Sequence, residues 1–234
     1  MDFCSITYIT MTRLNLARQG VYSDNYLIMS RIGRPREFDR DEALQRAMEL
    51  FWGHGYEATT LADLQRAMGR ITAPSFYAAF GSKEALFREV VDLYTQTHGA
   101  PVLEALIQGS TARASIERML RAAVNQVCGH GTPRGCLMVL GGINCTPANK
   151  GVEDLLRKER SRREKVIRQR LRRGVADGDT PSNADLTAIS SFYTTVVDGV
   201  TLQARDGASD KKLQTVVDEA MAAWDSLTKR RRKS

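Results

Sequence analysis

Side chains able to do chemistry gather in two stretches of this 234-residue chain. Between Thr59 and Lys83, TTLADLQRAMGRITAPSFYAAFGSK, hydroxyls at Thr60, Thr72, Ser75 and Tyr77 alternate with the cations Arg70 and Lys83. Hydroxyls and cations are the donors that phosphate oxygens accept from. The second stretch, CGHGTPRGCLMVLGGINC, holds Cys128, His130, Cys136 and Cys145. Thiolate and imidazole suit Cu(I) and zinc, and those four residues are the ones a metal or redox site would use. Against that, free cysteine is a common small core residue, and Cys136 opens the apolar run CLMVL. The reading adopted is no metal and no cofactor. GxSxG, P-loop, HExxH and dinucleotide fingerprints are all missing, and the carboxylates sit among basic residues on charged helix faces, so the chain does not read as an enzyme.

The elements that position the first stretch follow from its punctuation. Thr60 and Asp63 stand three apart, the spacing of a reciprocal capping box at a helix start. Gly69 ends that helix. Ala73-Pro74 suits the first turn of a second helix, where proline forfeits no needed hydrogen bond. Phe80-Gly81 closes it, and Ser82 caps a third that begins at Lys83. Two helices of about two turns joined by a short turn are the plan of a helix-turn-helix, whose second helix can enter the DNA major groove.

Upstream, residues 1 to 28 show no helical or strand period and read as a disordered leader. Translation from Met29 would give MSRIGRPREFDRDEAL, so Met29 is a candidate start. The spacing predicts a helix opening at Asp39 with Glu42 in a capping box, apolar at Leu44, Ala47, Leu50 and Phe51, and ended by Gly53 and Gly55. His54 and His98 read as helix-end residues, and Gly99-Ala100-Pro101 as the break after the Lys83 to Tyr94 helix.

Beyond Pro101 every periodic segment is helical. Ile116, Met119, Leu120 and Val124 form one stripe. Leu155, Leu156, Val166, Ile167, Leu171 and Val175 mark a long charged helix whose Arg157 to Arg173 run reads as a solvated face. Helices from Ala184 to about Ala204 and Lys211 to about Leu227 follow. The fold class is all-α: an N-terminal three-helix helix-turn-helix unit and a larger C-terminal helical part. A net charge of +7 and a pI near 9.4 favour an acidic partner. Apolar runs are far shorter than the roughly 20 residues that span a bilayer. Unpaired cysteine spacing, and Asp2 where a secretion signal wants positive charge with no sustained apolar core after it, point to a reduced, cytoplasmic protein.

Residues 33 to 94, GRPREFDRDEALQRAMELFWGHGYEATTLADLQRAMG followed by APSFYAAFGSKEALF, resemble the DNA-binding part of the TetR/AcrR family of transcriptional regulators. RGCLMV, INCTPANKGVEDLLR and GVTLQARDGAS resemble the branch containing the copper-responsive regulator ComR. The resemblance implies a homodimer, paired through the last two helices, that docks on a palindromic double-stranded operator and leaves it when a small effector binds, most commonly as a repressor. It also implies residue roles. Thr60 would bond a phosphate, Ala73, Pro74 and Ser75 would face base edges, Tyr77 would reach the backbone, and Lys83 would pair a phosphate. Ala73 and Pro74 make no bidentate base contact, so readout falls to Thr72, Ser75, Arg70 and thymine-methyl packing. Arg70 is an extra residue in the turn relative to the commonest family spacing.

The division expected is a leader at 1–32, the DNA-binding unit at 33–82, an effector and dimerisation unit at 83–228, and a basic tail at 229–234. Gly33-Arg34-Pro35-Arg36 reads as a minor-groove arm or a solvated tail. The effector is expected between helices near Met138, Phe192, Tyr193 and Val196. The competing reading is a helical protein-interaction adaptor without sequence-specific DNA binding.

Overall fold

The computed structural model describes residues 39–129 and 131–229. The expectations placed on the leader, Met29, the Gly33 to Arg36 arm, His130 and the tail beyond Lys229 lie outside them. Among the described residues the elements are all helical: α1 (Arg40–His54), α2 (Leu61–Ala67), α3 (Ala73–Phe80), α4 (Lys83–Tyr94), a π turn (Thr95–Gly99), α5 (Ala100–Ile107), α6 (Ala112–Val127), α7 (Leu137–Leu140), a 3₁₀ turn (Pro147–Asn149), α8 (Lys150–Ala176), α9 (Leu186–Arg205), α10 (Asp210–Ala222) and α11 (Trp224–Thr228). No described helix is long and apolar enough to cross a membrane.

Side-chain caps start most of these helices. Asp39 accepts from the amides of Asp41 and Glu42, Thr60 and Asp63 form the full capping box, and Thr72, Ser82, Thr111, Asp185 and Ser209 each accept from an amide of the first turn. The box expected at Asp39 is half made. Glu42 turns along the helix to Arg46, 2.5 Å away and one turn on, because a guanidinium is the stronger partner for its carboxylate. The buried face of α1 is Ala43, Ala47, Met48, Phe51 and Trp52, while Leu44 and Leu50 are only partly covered.

Pro101 does not break the chain. It sits in the first turn of α5, and the π turn before it carries the helix through. Thr95 and Thr97 donate their hydroxyls to the Val91 and Leu93 carbonyls one turn back, a habit that bends a helix. The widened turn moves the ladder by one residue, so the proline ring meets no carbonyl in the normal α register.

The stripe of Ile116, Met119, Leu120 and Val124 is buried as its spacing predicts. The basic face of α8 is not wholly solvated. Arg170 is buried, donating from Nε to Ser115 Oγ at 2.8 Å and from Nη2 to the Gly109 carbonyl at 3.3 Å. Arg160 donates to the Met138 carbonyl at 2.8 Å, and Arg163 pairs with Asp198 on α9. With 27 residues in α8, an arginine repeat must revisit every side of the helix, and the inward ones find carbonyl or carboxylate partners. The last expected helix is divided: α10 stops at Ala222 and α11 restarts at Trp224. One contiguous core runs from Ala43 to Trp224.

Candidate nucleic-acid interface and helical cavity

α3 buries Phe76 and Phe80 and leaves Thr72, Pro74, Ser75 and Tyr77 exposed, with Ala73 intermediate. Alternation of an aromatic face and a short polar face over eight residues fixes which side meets solvent. Tyr77 is 51% exposed and packs edge-on to Phe76 with centroids 5.5 Å apart, so its hydroxyl stands free of the core. Thr72 serves as the cap of α3: its Oγ1 accepts from the Ser75 amide at 3.3 Å and lies 2.9 Å from Ser75 Oγ. The hydroxyls of Thr72 and Ser75 therefore form one paired group. Thr60 likewise shares its hydroxyl with Asp63 Oδ2 at 2.6 Å, and the Asp63 pKa falls, first because of that bond.

Arg70 lies exposed in the turn with φ of 62°, directly after Gly69 at 86°. Two successive left-handed residues lengthen the connection and swing Arg70 outward. Gln65 closes the turn, donating from Nε2 to the Ile71 carbonyl at 3.2 Å. Lys83 is less extended than a phosphate contact suggests. Its ammonium lies over the Tyr56 ring, 4.2 Å from the centroid, and burial depresses its pKa. Arg40 braces the unit from the other side, 4.8 Å over Phe80 and ion-paired to Glu89 at 2.7 Å.

The three-helix unit is clasped to the remaining helices at the end of α1. Trp52 Nε1 donates to the Gly135 carbonyl at 3.1 Å, and the Tyr56 amide to the Gly141 carbonyl at 2.8 Å. Arg205, at the end of α9, reaches the carbonyls of Trp52 and Gly53 at 3.4 and 2.6 Å. Glu57 accepts from the Thr146 amide at 2.5 Å, the Thr146 hydroxyl at 2.8 Å and Asn149 Nδ2 at 2.9 Å; these bonds, Asn149 first, hold its pKa below the usual value. Sequence reading singled out RGCLMV, INCTPANK and LQARDGAS without seeing that they meet α1. Gly135 has φ of 96°, and an added Cβ would lie 2.7 Å from Leu140 Cδ1, so the carbonyl that receives Trp52 needs glycine there.

Beside this clasp lies a cavity of about 80 Å³. The π turn, α5, α6, α8 and α9 line it, with Tyr94, His98, Val102, Cys136, Met138, Arg160, Arg163 and Val197 among its walls. Of the residues expected to hold an effector, Met138 is there. Phe192, Tyr193 and Val196 are not: Val197 and Thr201 supply α9's wall, while Tyr193 turns toward Trp224 and donates to the Ala220 carbonyl at 3.3 Å. One residue of phase on a helix is about 100°, enough to carry Val196 off the wall. His98 is no surface cap. Its ring lies 4.7 Å from Trp52 and 5.2 Å from Tyr94, and burial lowers its pKa. Tyr94 accepts from Gln126 at 2.8 Å, and burial, then Cys136, raises its pKa.

The described cysteines are free and have different surroundings. Cys136 lines the cavity, Cys128 lies 3.7 Å from Arg134 Nη2, and Cys145 is near Glu57 and Glu153, its pKa raised by burial first. Among the described residues no three of His, Cys, Asp and Glu converge as a metal site would require.

Comparison with known proteins agrees with this layout. Residues 43–90 match the model of bacterial regulatory proteins of the tetR family. The chain is 35% identical to the HTH-type transcriptional repressor ComR of Escherichia coli K12 over 84% of its own length and 94% of that protein. It is 30% identical to the repressor BdcR of the same organism over 77% and 86%. A solved structure of the TetR family regulator CifR, a cysteine mutant complexed with 26 bp of double-strand operator DNA, shares 44% identity with a TM-score of 0.79, covering 82% of this chain and all of that one. With relatives matched across nearly their whole lengths, the chain belongs to the TetR family of bacterial transcriptional regulators.

Proposed function

We propose that this DNA-binding regulator acts in the cytoplasm as a homodimeric repressor, docked on a palindromic operator and released when a small effector enters the helical cavity. The observation that carries the reading is the continuity of α4, whose first residue, Lys83, adjoins the helix-turn-helix and whose last, Tyr94, forms part of the cavity wall. Residues 33–82, of which 39–82 are described, are the reading unit, and 83–228 the effector and dimerisation unit. Two of the relatives are named as repressors, which favours repression.

Tyr77, Thr60 and Lys83 supply affinity through phosphates, with Lys83 leaving the Tyr56 face to do so. Arg70, Thr72 and Ser75 supply base readout, and Ala73 and Pro74 offer small apolar contact to thymine methyls. Dimerisation uses α9 and α10: Leu202 is 51% exposed and Phe192, Val196 and Val216 are only partly covered in the single chain. An effector that prefers the cavity of the splayed form weakens operator affinity by no more than its differential affinity for the two forms.

A gel shift with the DNA upstream of the protein's own gene, at rising salt and with competitor DNA, tests the reading. The expected result is a sequence-preferring complex whose affinity falls with salt. Tyr77→Phe should weaken operator and nonspecific binding alike, by about tenfold or more, the worth of one hydrogen bond to a charged group. Absence of any sequence preference would overturn the reading.

A further inference from the structure

The chemistry of the cavity can be read from what its polar groups leave unmade. Arg163 is buried to 14% side-chain exposure and spends Nη2 on Asp198, yet its Nε is buried with no partner. Arg160 gives Nη1 to the Met138 carbonyl and has no carboxylate partner among the described residues. Arg162 is paired to Glu159 at 3.6 Å, the one carboxylate among the described residues of the wall. His98 packs its ring against Trp52 and Tyr94, and burial lowers its pKa, which disfavours a cation there. Val102, Val127, Met138 and Val197 make the remaining wall mainly apolar. A buried guanidinium with a free donor is costly unless an acceptor fills it, and a planar acceptor such as carboxylate matches it best.

We infer that the cavity takes a small, mainly apolar molecule ending in a carboxylate, its charged end received by Arg163 Nε and Arg160 and its apolar end among Val102, Met138 and Val197. This rests on the effector reading above and names its chemical class. At roughly 10–15 Å³ per water, the space of about 80 Å³ holds about five to eight water-sized bodies, which sets the ligand at about that many heavy atoms or slightly more, because bonded atoms lie closer than separate waters.

Thermal shift and calorimetric titration of the full chain without DNA provide the test, with hexanoate and benzoate as probes beside hexanamide, hexanol and benzamide. Hexanoate or benzoate should bind saturably, and the matching amides and alcohol at least about tenfold more weakly. Arg163→Gln should remove at least about tenfold of carboxylate affinity; Arg163→Lys, which can keep the Asp198 ion pair but has no Nε donor, should fold and lose a similar factor. Neutral isosteres binding as tightly as the acids, or failure of both acids to bind, overturns the inference even if both variants prove unstable. A parallel gel shift without ligand separates the two readings: loss of operator preference sinks the proposed function, whereas intact operator binding with no preference for the acids sinks this inference alone.

Discussion

The Trp52 ring on α1 meets the Tyr94 ring on α4 edge to face, with 4.9 Å between centroids. Tyr94 faces the cavity, and Trp52 Nε1 is bonded to the Gly135 carbonyl, so one aromatic contact joins the cavity wall to the first helix of the reading unit.

Trp52→Phe keeps a ring at this contact but strands the buried Gly135 carbonyl and leaves a space where the indole was. Together these should cost about 2 kcal/mol, or about 4–8 °C in Tm for a chain of this size. Thermal unfolding checks it; an unchanged Tm would show that the clasp contributes nothing to stability.

The carboxylate of Glu57 should give the clasp a pH dependence. Its folded pKa lies below the ordinary 4.5, because Asn149 and Thr146 bond the ionised form. A depressed folded pKa contributes stability that is present above the unfolded value and lost as pH falls through the folded one. The urea midpoint should therefore drop, as pH falls below about 4.5, more steeply in the wild type than in Glu57→Gln. Parallel pH curves for the two would remove this role.

Arg70→Gly should separate folding from binding. At φ of 62° an arginine is strained where glycine is not, so the variant should gain about 0.5–1 kcal/mol despite glycine's greater unfolded freedom. DNA affinity should fall nonetheless, with a shallower dependence on salt, since an exposed cation beside α3 is gone. Urea unfolding and salt-varied gel shifts read the two effects, and a loss of stability would contradict the strain argument.

The local grammar of the reading unit was legible because its signals are short in range. Thr60 with Asp63, Pro74 after Thr72, and Gly81 before Ser82 each specify a turn or cap within four residues, and all form as their spacing implies. What stayed hidden depends on distant partners. Nothing near Glu57 announces Thr146, and nothing near Trp52 announces Gly135 or Arg205. Of the four residues expected around an effector, Met138 alone lines the cavity, for the same reason: Met138 and Val196 are equally apolar, and only the phase of α9 against α8 decides that Val197 faces inward. Pro101 misled because a proline is a helix end unless the preceding turn is widened, and Thr95 and Thr97 widen it.

That widened turn has a consequence for how motion would travel. From Lys83 to Ile107 the chain is one helical rod, about 37 Å long at 1.5 Å per residue, with its single irregular turn placed on the cavity wall. A residue gained or lost in an α-helical register is worth about 100° of rotation. Molecules pressing on Thr95, His98 or Gly99 thus act on the angular phase of α4 against α5. Torque, more than bending, is what such a rod would deliver to the helices beside Lys83.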